Sequence, residues 1–155
     1  MLDVPFRHGR FPLVLSPRGS DRERRGPTNN MARILIADDE ESFSLLLQRA
    51  LVAAGHESRL AKDGNEALAA LKAAPVDLAI VDIFMPGKDG IETIQEFRRL
   101  SPSVKIIAIT GSVSKTSSSL LVMAQKLGAH QVLSKPFTVE QILAAVDGQL
   151  AKSGT

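Results

Sequence analysis

The sequence predicts an α/β protein: a doubly wound, five-stranded parallel sheet with helices on both faces. Three observations carry that prediction. Short strand-like runs alternate with helical stripes across residues 31–155. Most of the runs are apolar throughout rather than alternating, as strands buried on both faces are. Four of the five end on a polar residue, where an open parallel sheet binds its ligands.

Ile34-Leu35-Ile36-Ala37 is the first strand, and it stops at Asp38-Asp39. Phe43, Leu46, Leu47, Ala50, Leu51 and Ala54 then fall on one helical stripe, with Gly55 as its C-cap. Ser58 to Ala61 is a weak second strand. Asn65 to Ala74 is a helix stopped by Pro75. Leu78 to Val81 is a strand ending on Asp82, and Ile91 to Leu100 is a helix closed by Pro102. Val104 to Ile109 is a strand ending on Thr110. Ser112 to Ser119, rich in Ser and Thr, reads as a mobile loop before a helix over Leu120 to Leu127. Gln131 to Ser134 is a strand ending at Lys135. Val139, Ile142, Leu143, Val146 and Leu150 form the last stripe, with Thr138 and Gln141 as a capping box.

Composition removes several function classes. The 155 residues contain no Cys, which excludes disulfides and thiolate metal sites. His8, His56 and His130 are far apart, which argues against a His-based zinc site. Trp and Tyr are absent, so base-stacking nucleic-acid modules are disfavoured. No run is long and apolar enough for a membrane span. No Gly-rich fingerprint follows the first strand, and no P-loop or nucleophile elbow is present.

The net charge of +2 is unevenly placed. Residues 1–30 carry six Arg and three acids, hence +3; residues 31–155 carry 13 basic and 14 acidic residues, hence −1. The first 30 residues also hold half of the eight prolines and read as a disordered basic arm. Its one apolar run, Leu13-Val14-Leu15, is too short for a secretory signal. A basic tether remains open. The preferred expectation is that the arm has no folded role and reflects a start assigned upstream of Met31. Residues 31–155 are then the functional domain.

The strand ends gather Asp38, Asp39, Asp82, Thr110 and Lys135. Each Asp alone is as well explained as a turn former or helix cap. Together, three carboxylates on neighbouring strands repel, and their pKa values rise unless a cation intervenes. A hard divalent ion such as Mg²⁺ suits such oxygen ligands. Lys135 adds a second positive charge and Thr110 a hydroxyl donor. The set fits a tetrahedral dianion beside Mg²⁺.

Four motifs in order, each at a strand end, carry a family resemblance. They are Ile34-Leu35-Ile36-Ala37-Asp38-Asp39-Glu40, Asp82-Ile83-Phe84-Met85-Pro86-Gly87-Lys88-Asp89-Gly90, Ile109-Thr110-Gly111 and Lys135-Pro136-Phe137. The body, from residue 32 to about 150, resembles the receiver domain of response regulators in two-component signalling. The resemblance implies the flavodoxin-like strand order 2-1-3-4-5. It implies Asp82 as acceptor of a phosphoryl group from a phosphohistidine. Asp39, Asp82 and the backbone carbonyl of Phe84 would ligate Mg²⁺, with Asp38 acting through a bound water. Thr110 and Lys135 would each bind a phosphoryl oxygen. Pro136 would follow a cis peptide that aims Lys135. Met85, Pro86 and Gly90 would shape the loop over the site.

One position departs from the family pattern. Val132 stands where an aromatic usually swings inward as the threonine moves, which puts the output coupling in question. Phe84 is expected to restrict water at the site mouth and lengthen the lifetime of the phosphoryl group.

The resemblance implies a cytoplasmic, single-domain receiver, monomeric or weakly dimeric. It would act through protein contacts rather than on nucleic acid or membrane. Its partners would be a sensor histidine kinase or a histidine phosphotransfer protein, and a downstream protein target. It would not be an enzyme beyond self-directed phosphoryl transfer and autodephosphorylation. Two rivals stand beside it. A metal-dependent phosphohydrolase with an aspartyl nucleophile would resemble a DxD motif, which Asp38-Asp39-Glu40 does not supply. A receiver-like binding module that is never phosphorylated is the other.

Overall fold

The computed structural model describes residues 31–85, 90–111 and 115–153. The arm of residues 1–30 and the loop residues Pro86 to Asp89 lie outside that description.

Five strands and five helices alternate. They are β1 (Arg33–Ala37), α1 (Glu41–Ala53), β2 (Glu57–Ala61), α2 (Gly64–Ala73), β3 (Leu78–Asp82), α3 (Gly90–Leu100), β4 (Lys105–Thr110), α4 (Lys115–Leu127), β5 (Gln131–Ser134) and α5 (Val139–Ser153). All pairings are parallel, and the strand order is β2-β1-β3-β4-β5. The register sets Ala37 beside Val81, Asp82 beside Ile109 and Thr110 beside Ser134. The carboxyl ends of β1, β3, β4 and β5 therefore finish at one level.

Alternation of side chains along the strands divides the core in two. Leu35, Ala79, Val81, Ile106 and Ala108 meet α2, α3 and α4 through Ala67, Leu68, Ile94, Phe97 and Ala124. Ile34, Ile36, Ile80, Ile107 and Ile109 meet α1 and α5 through Leu47, Leu51, Ile142 and Val146. The sheet is covered on both faces, which is why β1, β3 and β4 read as largely apolar runs.

Helix boundaries follow local chemistry. Thr138 and Gln141 make the expected capping box: the Gln141 N–H donates to Thr138 Oγ1 at 3.0 Å, and the Thr138 N–H to Gln141 Oε1 at 2.8 Å. At α2 the Glu66 N–H donates to Asp63 Oδ1 at 2.8 Å, a cap the sequence reading missed. Gly55 and Gly128 take φ of 97° and 135° just past α1 and α4. Gly128 has a second constraint: a Cβ there would lie 2.3 Å from Cγ of Arg98, whose guanidinium donates to the Val104 carbonyl at 2.9 Å.

Two expectations need correction. The α4 helix begins at Lys115, not Leu120, so most of the stretch read as a loop is helical. Ser and Thr suit a first helical turn, where backbone N–H groups lack helical partners, and there they mimic a loop composition. Residues 112–114 lie outside the described residues. In α1, Leu46 belongs to the predicted stripe but is 57% exposed, because α1 turns mainly Leu47 and Leu51 to the sheet.

Candidate phosphoacceptor site

Asp38, Asp39 and Asp82 converge at the ends of β1 and β3. Each offers a carboxylate oxygen, and these oxygens lie within 4.8 Å of one another. Asp38 and Asp82 are buried, and Asp39 is exposed. Local hydrogen bonds orient two of them. The Glu40 N–H donates to Asp38 Oδ1 at 2.9 Å, and the Phe84 N–H donates to Asp82 Oδ1 at 3.0 Å. Each carboxylate thus accepts from the backbone two residues later, which turns the chain away from the strand.

Lys135 reaches across from β5. Its Nζ lies 3.0 Å from Asp38 Oδ2, 3.3 Å from Glu40 Oε1 and 3.8 Å from Asp82 Oδ2. The Lys135-Pro136 peptide is cis, as the resemblance implied. Burial pulls the Lys135 pKa down, but the hydrogen bond and charge of Asp38, with Asp82 and Glu40, outweigh it and hold the ammonium above its ordinary value. Asp82 behaves oppositely. Burial pushes its carboxyl up to about 7; Asp38 adds to the rise, and the Phe84 N–H and Lys135 only partly offset it.

Thr110 ends β4 fully buried, and among the described residues its Oγ1 has no hydrogen-bond partner. A buried hydroxyl without a partner costs about 1–3 kcal/mol, so it is a ready donor for an arriving oxygen. Gly90 closes the site from behind. A Cβ at that position would stand 2.2 Å from the Asp82 carbonyl oxygen and 2.6 Å from Ile83 Cα. The Gly90 N–H also donates to the Ile83 carbonyl at 3.0 Å.

Of the residues predicted from sequence, Asp38, Asp39, Asp82 and Lys135 lie together, and Thr110 stands at the end of the neighbouring strand β4. Met85 is buried in the core face of α2 to α4, and the Phe84 side chain is 46% exposed. Val132 is half-buried and packs on the same core face as Met85. Sequence reasoning missed two partners of Lys135. Glu40 is the N-cap of α1 but makes no side-chain cap, because its carboxylate turns to Lys135. The Phe43 ring lies beneath Nζ, 4.0 Å from its centroid. The signal for both was their place in the first turn after the Asp pair.

The family model of the response regulator receiver domain matches residues 34–147. The chain belongs to the response-regulator receivers.

Curated relatives agree. The receiver is 38% identical over 120 residues to the uncharacterized transcriptional regulatory protein YrkP of Bacillus subtilis, covering 77% of this chain and 50% of that protein. It is 34% identical over 121 residues to the alkaline phosphatase synthesis transcriptional regulatory protein PhoP of the same organism, covering 78% and 49%. The receiver thus spans about half the length of these relatives. Among solved structures, a CheY-like receiver domain protein from Methanospirillum hungatei aligns with TM-score 0.75 and 28% identity, covering 81% of this chain and 98% of that one. The fold is accordingly the flavodoxin-like one that the motifs implied. Among the described residues, no helix is long and apolar enough to cross a membrane.

Proposed function

We propose that Asp82 is the phosphoacceptor, taking a phosphoryl group from a phosphohistidine of a sensor kinase or a phosphotransfer protein. The observation that carries this reading is the convergence of Asp38, Asp39, Asp82 and Lys135. A lone buried carboxylate would be a poor nucleophile toward a dianion. Here Lys135 stands 3.8 Å from it, and two further carboxylates are placed to share a cation with it.

The donor set fits Mg²⁺: hard oxygens, one exposed carboxylate and room for retained water. Asp39, Asp82 and the Phe84 carbonyl would hold the ion, and Asp38 would act through a water. When bound, Mg²⁺ supplies positive charge that offsets repulsion between the carboxylates and the phosphoryl oxygens.

In the transfer, an Asp82 carboxylate oxygen forms a bond to phosphorus. The P–N bond of the donor breaks, and its imidazole leaves with the electron pair. The transition state is loose, so positioning and charge neutralisation do most of the work. Lys135 and Thr110 would each take a phosphoryl oxygen. The Thr110 hydroxyl gains in that state the partner it otherwise lacks, so the phosphorylated form favours a Thr110 position turned toward the site. Movement of β4 and its neighbours, including Val132, would then change which protein partner binds. The named relatives are transcriptional regulators; for this receiver, output through protein contacts is the reading adopted. The functional domain in this proposal is residues 31–155.

The test is labelling with a small phosphodonor and Mg²⁺ in the natural protein and in Asp82→Asn. Stable incorporation by the natural protein and none by the variant is expected. Equal incorporation in both, or none in either, would overturn the mechanism. Turnover of an external phosphomonoester would favour a phosphohydrolase.

A further inference from the structure

The first turn of α1 does more than follow the metal-binding loop. Glu40 and Phe43 are three residues apart and share one face of the helix end. Both meet Lys135: Glu40 by its carboxylate at 3.3 Å, Phe43 by its ring face at 4.0 Å. An ammonium has three N–H donors. Asp38, Glu40 and Asp82 stand around it at 3.0, 3.3 and 3.8 Å. The ring covers a further side of the ammonium with a surface that attracts a cation but accepts no ordinary hydrogen bond.

The ring is itself held in place. Phe137, two residues past Lys135, meets Phe43 edge-on, with centroids 5.7 Å apart and planes at 77°. The Lys135-Pro136-Phe137 segment thus grips Phe43 at both its ends. Leu46, Leu47, Val139 and Ile142 line the apolar groove around the two rings, between α1 and α5.

We propose that Phe43 is a positioning residue for phosphoryl transfer, its π face fixing the Lys135 ammonium beside the acceptor carboxylate. This rests on the phosphoacceptor reading of Asp82 and deepens it. A leucine would fill the same groove, but without the negative ring face it would leave the ammonium free to turn toward water. The ring sits where a water would otherwise draw Nζ away. Its contribution therefore depends on ring electronics as well as on size.

That distinction sets the test. In the full chain, Phe43 is replaced by mono-, di- and trifluorinated phenylalanine, which keep the ring's shape and drain its face of negative charge. The rate of Asp82 labelling by a small phosphodonor with Mg²⁺ should fall stepwise along the series. Phe43→Leu should fall furthest, by about threefold to thirtyfold given the usual worth of such contacts. A second readout needs no phosphodonor or metal. In the Mg²⁺-free protein the Lys135 Hε resonances should lie upfield, shifted by the ring current, and Phe43→Leu should return them to ordinary lysine positions.

A flat fluorination series in a protein that labels solely through Asp82 would overturn this proposal alone. Lys135 Hε resonances that do not respond to Phe43→Leu would do the same. Incorporation that survives Asp82→Asn unchanged would overturn the phosphoacceptor reading and this proposal together.

Discussion

Gly90 and Asp82 are packed backbone to backbone: a methyl group on the Gly90 Cα would fall 2.2 Å from the Asp82 carbonyl oxygen. The start of α3 is thereby pressed against the end of β3. Backbone atoms on both sides leave no flexible side chain to yield. Gly90→Ala should therefore lift α3 from the strand end. The expected cost is about 1–3 kcal/mol by urea unfolding, with slower Asp82 labelling. Unchanged stability and rate would show that the helix relaxes freely.

The raised Asp82 carboxyl makes a stability prediction. Its folded value of about 7 lies above the ordinary carboxylate value of 3.8, so the folded state holds the proton more tightly. Asp82 therefore costs nothing near pH 4 and destabilises increasingly up to about pH 7. Asp82→Asn should be the more stable protein at about pH 8, by up to about 4 kcal/mol, with the gap closing as pH falls below about 4. Added Mg²⁺ should narrow the gap by stabilising the natural protein. Chemical unfolding across that range checks both statements.

Two histidines push the other way. His56 Nδ1 accepts the Ala32 N–H at 3.1 Å, and His130 Nδ1 accepts the Ile106 N–H at 3.0 Å. Each bond needs an unprotonated Nδ1. Burial lowers both pKa values; Asp147 partly opposes this at His56, and Lys105, Arg98 and Lys152 add to it at His130. A base with a depressed folded value contributes stability that is fully present above 6.5 and is lost as pH falls below it. In the Asp82→Asn background, stability should drop by about 1 kcal/mol per lost bond as the rings protonate. Imidazole titrations followed by NMR should show midpoints below 6.5 for both.

Phe84 follows Asp82 by two residues, with nearly half its surface exposed. If Asp82 is the phosphoacceptor, the ring's bulk would narrow the path of a hydrolytic water. Phe84→Ala should shorten the lifetime of the labelled protein several-fold while leaving its stability nearly unchanged. Decay of the isolated phosphoprotein measures this directly, and an unaltered decay rate would remove Phe84 from the account.

The strand ends were legible in the sequence because a doubly covered sheet makes its strands apolar, so the first polar residue after each run marks the site. Asp38, Asp82 and Thr110 stand out in this way, whereas Lys135 follows the polar Ser134 and was marked instead by the Lys135-Pro136-Phe137 motif. The start of α4 was not legible, since Ser and Thr favour both loops and helix beginnings. The exposure of Leu46 was hidden because a helical stripe marks apolar residues without saying how wide a face the sheet covers. Glu40 and Phe43 were hidden for a different reason. Their partner Lys135 is some 95 residues away in the chain, and no local pattern records a contact of that kind.

The Arg98 side chain lying in the space beside Gly128 joins the far ends of α3 and α4. That contact would serve as a hinge pin for a tilt of α4. The α4 helix has 13 residues, hence a length of about 20 Å, and its first residue, Lys115, lies at the end opposite the pin. A tilt of about 5° around the pin would sweep that end through roughly 2 Å over such a length. Clamped in this way, the helix would be a cantilever: a small rotation at its base becomes its largest excursion at the opposite end.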